Sequence, residues 1–187
     1  MKTIQIFSFE ELSPEAQEVA LEQFRNDVSN GAIPEIYDHD PLIEGMKEEL
    51  AEIGIESVDV FYSGFWSQGD GLCFTGEVKN VKLFSESLGL LNIKDWDIIN
   101  FRRMSTRYNH ENTIETDLRI DWHAEESFKK VWNDLFEKIE DWRKSKCREF
   151  YNRLEKHYDY CSSDEVVKEE LIEREYHFLE NGIKVKL

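Results

Sequence analysis

Cations are scarce in this 187-residue chain: 23 Lys and Arg face 40 Asp and Glu, a net charge of −17. A surface of that sign repels the phosphate backbone that nucleic-acid-binding proteins neutralise with Lys and Arg, so direct nucleic-acid binding is disfavoured. No run approaches the roughly 18 apolar residues of a membrane span. The opening MKTIQIFSFEELSPE reaches acidic residues by Glu10 without an apolar signal-peptide core. Those absences give the expectation of a cytoplasmic protein with no membrane partner. The three cysteines, Cys73, Cys147 and Cys161, are odd in number and lack CxxC spacing. They point to neither a disulfide framework nor a Cys-rich zinc site, and reduced thiols are expected.

What is present suffices for a core: five Trp, seven Tyr and twelve Phe in a chain whose length buries about 70% of its unfolded surface on folding. Ser13-Pro14 reads as a helix start, with Ala16, Val19, Ala20, Phe24 and Val28 on one face and Asn30-Gly31 as the stop. A second helix starts at Asp40-Pro41, carries Leu42, Met46, Leu50 and Ile53, and stops at Gly54. MKTIQIF suggests an edge strand. Val58, Val60 and Tyr62, then Leu72, Phe74 and Gly76, alternate as a hairpin. Gly69-Asp70-Gly71 is expected to supply positive φ and Gly64 a bulge or close approach.

The stretch 80–95 suits a short helix or a buried connection. DIINFRRMS and TIETDLRIDW read as strands, the second with Ile114, Thr116, Leu118, Ile120 and Trp122 on one face. From Glu125 an apolar stripe of Phe128, Val131, Trp132, Leu135, Ile139, Trp142, Phe150 and Leu154 predicts one long helix over 125–160. Its later half is the most basic part of the chain. Ser162 and Glu165 fit a capping box for a further helix, and Asn181-Gly182 the turn of a terminal β-hairpin. The whole, 1–187, reads as one α+β domain: an antiparallel sheet of hairpins flanked by helices.

No Walker loop, GxGxxG, GxSxG or HExxH pattern occurs, so no catalytic residue and no cofactor is assigned. Asp38, His39 and Asp40, joined by Asp121 and His123, would suit a divalent metal only if the fold gathered them. The surplus length of the long helix offers a face for a homodimer.

YSGFWSQGDGLCFTG (Tyr62 through Gly76) and LEKHYDYCSSDEVVKEELIEREYHFLENG resemble a family of small, largely uncharacterised phage and prophage proteins. The matching positions are Tyr158-Asp159-Tyr160, Ser163-Asp164-Glu165 and Tyr176 through Gly182. Some members carry an antitoxin-like label. The resemblance implies phage origin and action in the host cytoplasm, and brings no active site.

Residues 1–60 hold fifteen acidic against three basic residues. The expectation is therefore a non-enzymatic acidic phage accessory protein that binds, and by binding inhibits, a host protein with a basic surface such as a defence nuclease or toxin. Attraction would come from Glu15, Glu18, Glu22, Glu44, Glu48, Glu49 and Glu52, and anchorage from Phe65 and Trp66 on a loop shaped by Asp70. The alternative is a metal-dependent enzyme acting on a nucleotide or signalling molecule through the Asp/His set.

Overall fold

A computed structural model describes residues 4–32, 38–90, 98–119 and 126–185, excepting the side chains of Ile98, Arg119, residues 126–129 and Val131. The elements run α1 (Pro14–Ser29), α2 (Asp40–Glu52), β1 (Ile55–Tyr62), β2 (Leu72–Val78), α3 (Val81–Ser87), β3 (Ile98–Arg103), β4 (Ile114–Arg119), α4 (Glu126–Cys161) and α5 (Asp164–Glu173). This is an α+β fold with a four-stranded antiparallel meander, β1-β2-β3-β4. The contacts fall into two compact units, one made of residues 1–39 and 156–187 and the other of 40–155. Each has its own apolar cluster.

The 40–155 unit packs α2, α3 and α4 on one face of the sheet. Met46 and Leu50 of α2, Phe84 of α3 and Ile139, Phe150 and Leu154 of α4 are buried with Phe74, Ile99, Phe101 and Ile114. The centre is aromatic: Phe74, Phe84 and Phe101 all lie with ring centroids 5.1–6.2 Å from Trp142. Such pairs add to area burial by about 0.5–1.5 kcal/mol each. On β4 the expected alternation holds, Ile114 and Thr116 being buried while Glu115 is exposed. Ile120, Asp121, Trp122 and His123, like residues 91–95 of the 80–95 stretch, lie outside the described residues.

The bulge of β1 falls at Ser57 and not at Gly64. The register jumps between Glu56 and Asp59, and Ser57 takes a left-handed φ of 55°. Opposite it Gly76 has no room for a side chain, since a Cβ would stand 2.7 Å from Ile55 Cγ2. Gly54 ends α2 as expected, with φ +87°, and its carbonyl accepts from Lys79 and Asn80.

In the other unit Ser13 Oγ accepts from Ala16 N and Pro14 opens α1. Ala16, Ala20, Phe24 and Val28 are buried with Val167 and Leu171 of α5 and with Phe9 and Phe178. Val19, placed on that stripe by spacing, is instead 43% exposed, although Gly182 approaches its Cβ. The α5 cap is Ser163, whose Oγ accepts from Val166 N, while Ser162 Oγ turns back to the Tyr158 carbonyl. The capping box lies elsewhere, between Ser8 and Glu11. The terminal hairpin forms around Asn181-Gly182 with Leu179 N donating to Ile183 O, and Phe7 pairs with Phe178 as an isolated bridge where an edge strand was expected.

Candidate functional site

The stretch that prompts a binding hypothesis is a nine-residue connection, 63–71, between Tyr62 and its β2 partner Leu72. Asp70 organises it: one carboxylate oxygen accepts from Trp66 N at 3.1 Å and Ser67 N at 2.6 Å. Among its glycines only Gly69 has a positive φ, +96°, and its missing side chain leaves room for the Tyr108 ring. Gly71 serves contact instead, since a Cβ there would sit 2.7 Å from His110 Cβ. Gly64 lies against the Asp70 carboxylate.

The neighbouring connection, 104–113, is tied in from the other side. Asn109 Nδ2 donates to the Tyr62 carbonyl at 2.8 Å, and its Oδ1 accepts from Arg103, whose guanidinium stacks 4.4 Å above the Phe61 ring. From α4, Tyr151 OH donates to Gly64 O at 2.9 Å and its ring lies 5.5 Å from that of Phe65. Burial, then the charge of Asp70, pushes the Tyr151 phenol up, so the donor keeps its proton. Phe65 is the inward partner of the pair, and Trp66 is left 71% exposed. A large aromatic is thus held outward on a backbone fixed by hydrogen bonds at both ends. Tyr151, 87 residues beyond Gly64, carries no sequence signal linking it to that loop.

Among the acidic candidates, Glu15, Glu18 and Glu22 form an exposed stripe on α1, and Glu48 and Glu52 are exposed one turn apart on α2. Glu44 pairs with Lys47 at 2.7 Å. Glu49 is bound into the fold: Arg153 bridges it to Glu149, and Lys146 lies 3.9 Å from it. Asp70 is spent on the loop.

Of the metal candidates, His39 is buried with its Nδ1 3.1 Å from Nδ1 of His157, and the Cys161 thiol lies 3.6 Å from His157 Nε2. Asp38 is exposed and Asp40 is the first residue of α2. Asp121 and His123 lie outside the described residues, among which no group of three or more His, Cys, Asp or Glu could hold a metal ion. Burial raises all three thiols, Cys147 to about 12, which leaves no ready nucleophile among them.

No helix among the described residues is long and apolar enough to cross a membrane. Comparison with curated proteins and with solved structures gave no match. A family model described as a domain of unknown function (DUF8835) matches residues 39–164, a span that takes in the whole sheet, the Trp66 loop and α4. A match over that share of the sequence places this chain in the DUF8835 family.

Proposed function

We propose that this protein is a non-enzymatic accessory protein that binds a cationic host protein and inhibits it by occupying its basic surface. The observation that carries the reading is Trp66, held 71% exposed on a loop pinned by Asp70, Asn109 and Tyr151. A pre-ordered tryptophan loses little conformational freedom on binding, and Trp and Arg are the residue types most enriched among interface hot spots. Indole faces also attract Lys and Arg through cation–π contact. The exposed carboxylates of Glu15, Glu18, Glu22, Glu48 and Glu52 raise the encounter rate with a basic partner. The resemblance to phage and prophage proteins supports the host cytoplasm as the setting and a defence nuclease or toxin as the class of target.

Immobilised protein and its Trp66→Ala variant, exposed to host lysate at low and high salt, test this. The expected result is one basic protein retained by the parent, released as ionic strength rises and not retained by the variant. Equal retention by both, or retention insensitive to salt, overturns the reading.

A further inference from the structure

In the unit formed by residues 1–39 and 156–187, the 3-10 turn Phe9–Glu11 and the end of α5 enclose a groove of about 270 Å³. Phe9 and Leu171 are buried beneath it, exposed Ile172 and half-buried Tyr176 flank it, and Glu10 and Glu175 are exposed at its margin. The volume falls below the roughly 300–1,000 Å³ of metabolite pockets and suits a single side chain.

Charge decides which. The neighbouring Glu11 is already committed, accepting from Ser8 N and Ser8 Oγ, bonds that hold its carboxyl below the usual range. Glu10 and Glu175 have no ion-pair partner among the described residues. Three cationic or titratable side chains stand near: His177 lines the groove and lies close enough to act on Glu11, Arg174 Nε donates to Glu170 at 2.6 Å and its guanidinium also contacts Tyr176, and Lys184 lies 3.8 Å from Asp27. The fold itself shows what this environment accepts, since the Lys184 ammonium sits 3.9 Å from the centre of the Tyr176 ring. Glu175 also takes a left-handed φ of 52° just past the C-cap of α5, a position where glycine is the easier residue.

We infer that this groove binds a lysine or arginine side chain of the partner protein, its aliphatic stem against Phe9 and Ile172 and its cation between Glu10 and Glu175. The stem gains from leaving water while the charged head stays at the solvated margin. The assignment rests on the reading that the partner is cationic, and it adds a contact distinct from Trp66.

Titration of the isotope-labelled full chain with N-acetyl-arginine amide, N-acetyl-lysine amide and the neutral isostere N-acetyl-citrulline amide tests it by NMR. Saturable shifts at the amides of Glu10, Ile172, Glu175 and Tyr176 are expected with the two cations, and about tenfold weaker binding with citrulline or in Glu10→Gln, the loss of one charge-assisted hydrogen bond. Glu175→Gly should fold at least as stably and yet lose the response. Non-saturating shifts spread along α1 and α5, equal for parent and Glu10→Gln, mean counterion attraction only and overturn the assignment. Because lysate capture is scored on Trp66→Ala, a silent groove beside Trp66-dependent capture overturns this inference alone. A responsive groove without Trp66-dependent capture overturns the Trp66 reading alone.

Discussion

Arg143 grips Glu140 one turn earlier on the same helix, Nε to Oε1 at 3.1 Å and Nη2 to Oε2 at 2.7 Å, and its remaining nitrogen donates to the Glu111 carbonyl at 2.6 Å. The guanidinium is 1% exposed, and the Thr116 hydroxyl donates to the same carboxylate. The pair thereby fastens α4 to β4 through Glu140 and to the connection that frames the Trp66 loop through Arg143. Removing one partner of such a buried pair strands the other charge, so Arg143→Met should cost about 3–5 kcal/mol. The double variant Glu140→Gln/Arg143→Met should recover part of that loss in urea titrations. An Arg143→Met protein as stable as the parent would show that the pair is incidental.

The same carboxylate sets an acid limit. Burial alone would raise the pKa of Glu140, but hydrogen bonds from Arg143 and Thr116, with the Arg143 and Lys144 charges, outweigh it and hold the carboxyl below its usual 4.5. A depressed folded pKa means the stabilisation is complete above the unfolded value and is lost as pH falls through the folded one. Unfolding free energy measured from pH 6 to pH 3 should therefore fall more steeply for the parent than for Glu140→Gln. Parallel curves would remove Glu140 from the account.

Two residues with left-handed backbone should respond in opposite senses. Gly182, at φ +82°, sits so close to α1 that a Cβ would collide with the Ala16 carbonyl oxygen. Glycine-to-alanine replacement there combines backbone strain of about 1–2 kcal/mol with that collision. Glu175→Gly relieves strain instead and should stabilise by about 1 kcal/mol. Thermal melts of the two variants check both signs.

Asp70→Ala removes the acceptor for two backbone amides at the tip of the 63–71 loop. Hydrogen bonds to a charged group contribute about 1.5–3 kcal/mol each, less where solvent competes, so a global loss of about 1 kcal/mol is the expected order. The sharper readout is local: hydrogen exchange at the Trp66 and Ser67 amides should accelerate in the variant while the strands keep their protection. Unchanged exchange at both amides would mean that the loop is held without Asp70.

The thiols give a simple check on packing. All three cysteines are buried and reduced, and burial raises the pKa of each. A disulfide-exchange reagent at pH 8 should find almost no reactive thiol in the folded protein and three after denaturation.

Features written in local chemistry were legible before any coordinates. Ser13-Pro14 carries its own start signal, Gly54 its own stop, and the alternation at Ile114, Thr116 and Leu118 its own face. What escaped depends on partners distant in sequence. Arg143 reads as part of a basic helix surface, yet it falls on the buried line of Ile139, Cys147, Phe150 and Leu154, and a guanidinium is tolerated there because Glu140 pairs with it and the Glu111 carbonyl, thirty-two residues earlier, accepts its remaining nitrogen. Ser162 and Ser163 are equally good caps in isolation, and the helix start selects the second. That one of the adjacent Phe65 and Trp66 should face outward was legible, but which of the two, and the brace from Tyr151, were not. Glu49 looks like any surface glutamate until Arg153, 104 residues later, claims it.

The unit assembled from both ends of the chain imposes an order on biosynthesis. Phe24 and Ala20 emerge from the ribosome well before Val167, Leu171 and Phe178, which bury them. At the usual elongation rates the wait is on the order of 10 s. During it a lone 16-residue helix such as α1 is marginal in water, whereas the contiguous 40–155 unit already has its strands and most of its longest helix in hand. The nascent chain therefore carries an unpaired apolar stripe beside its carboxylates until Val167, Leu171 and Phe178 are made, and shielding it falls to the charge around it or to a chaperone.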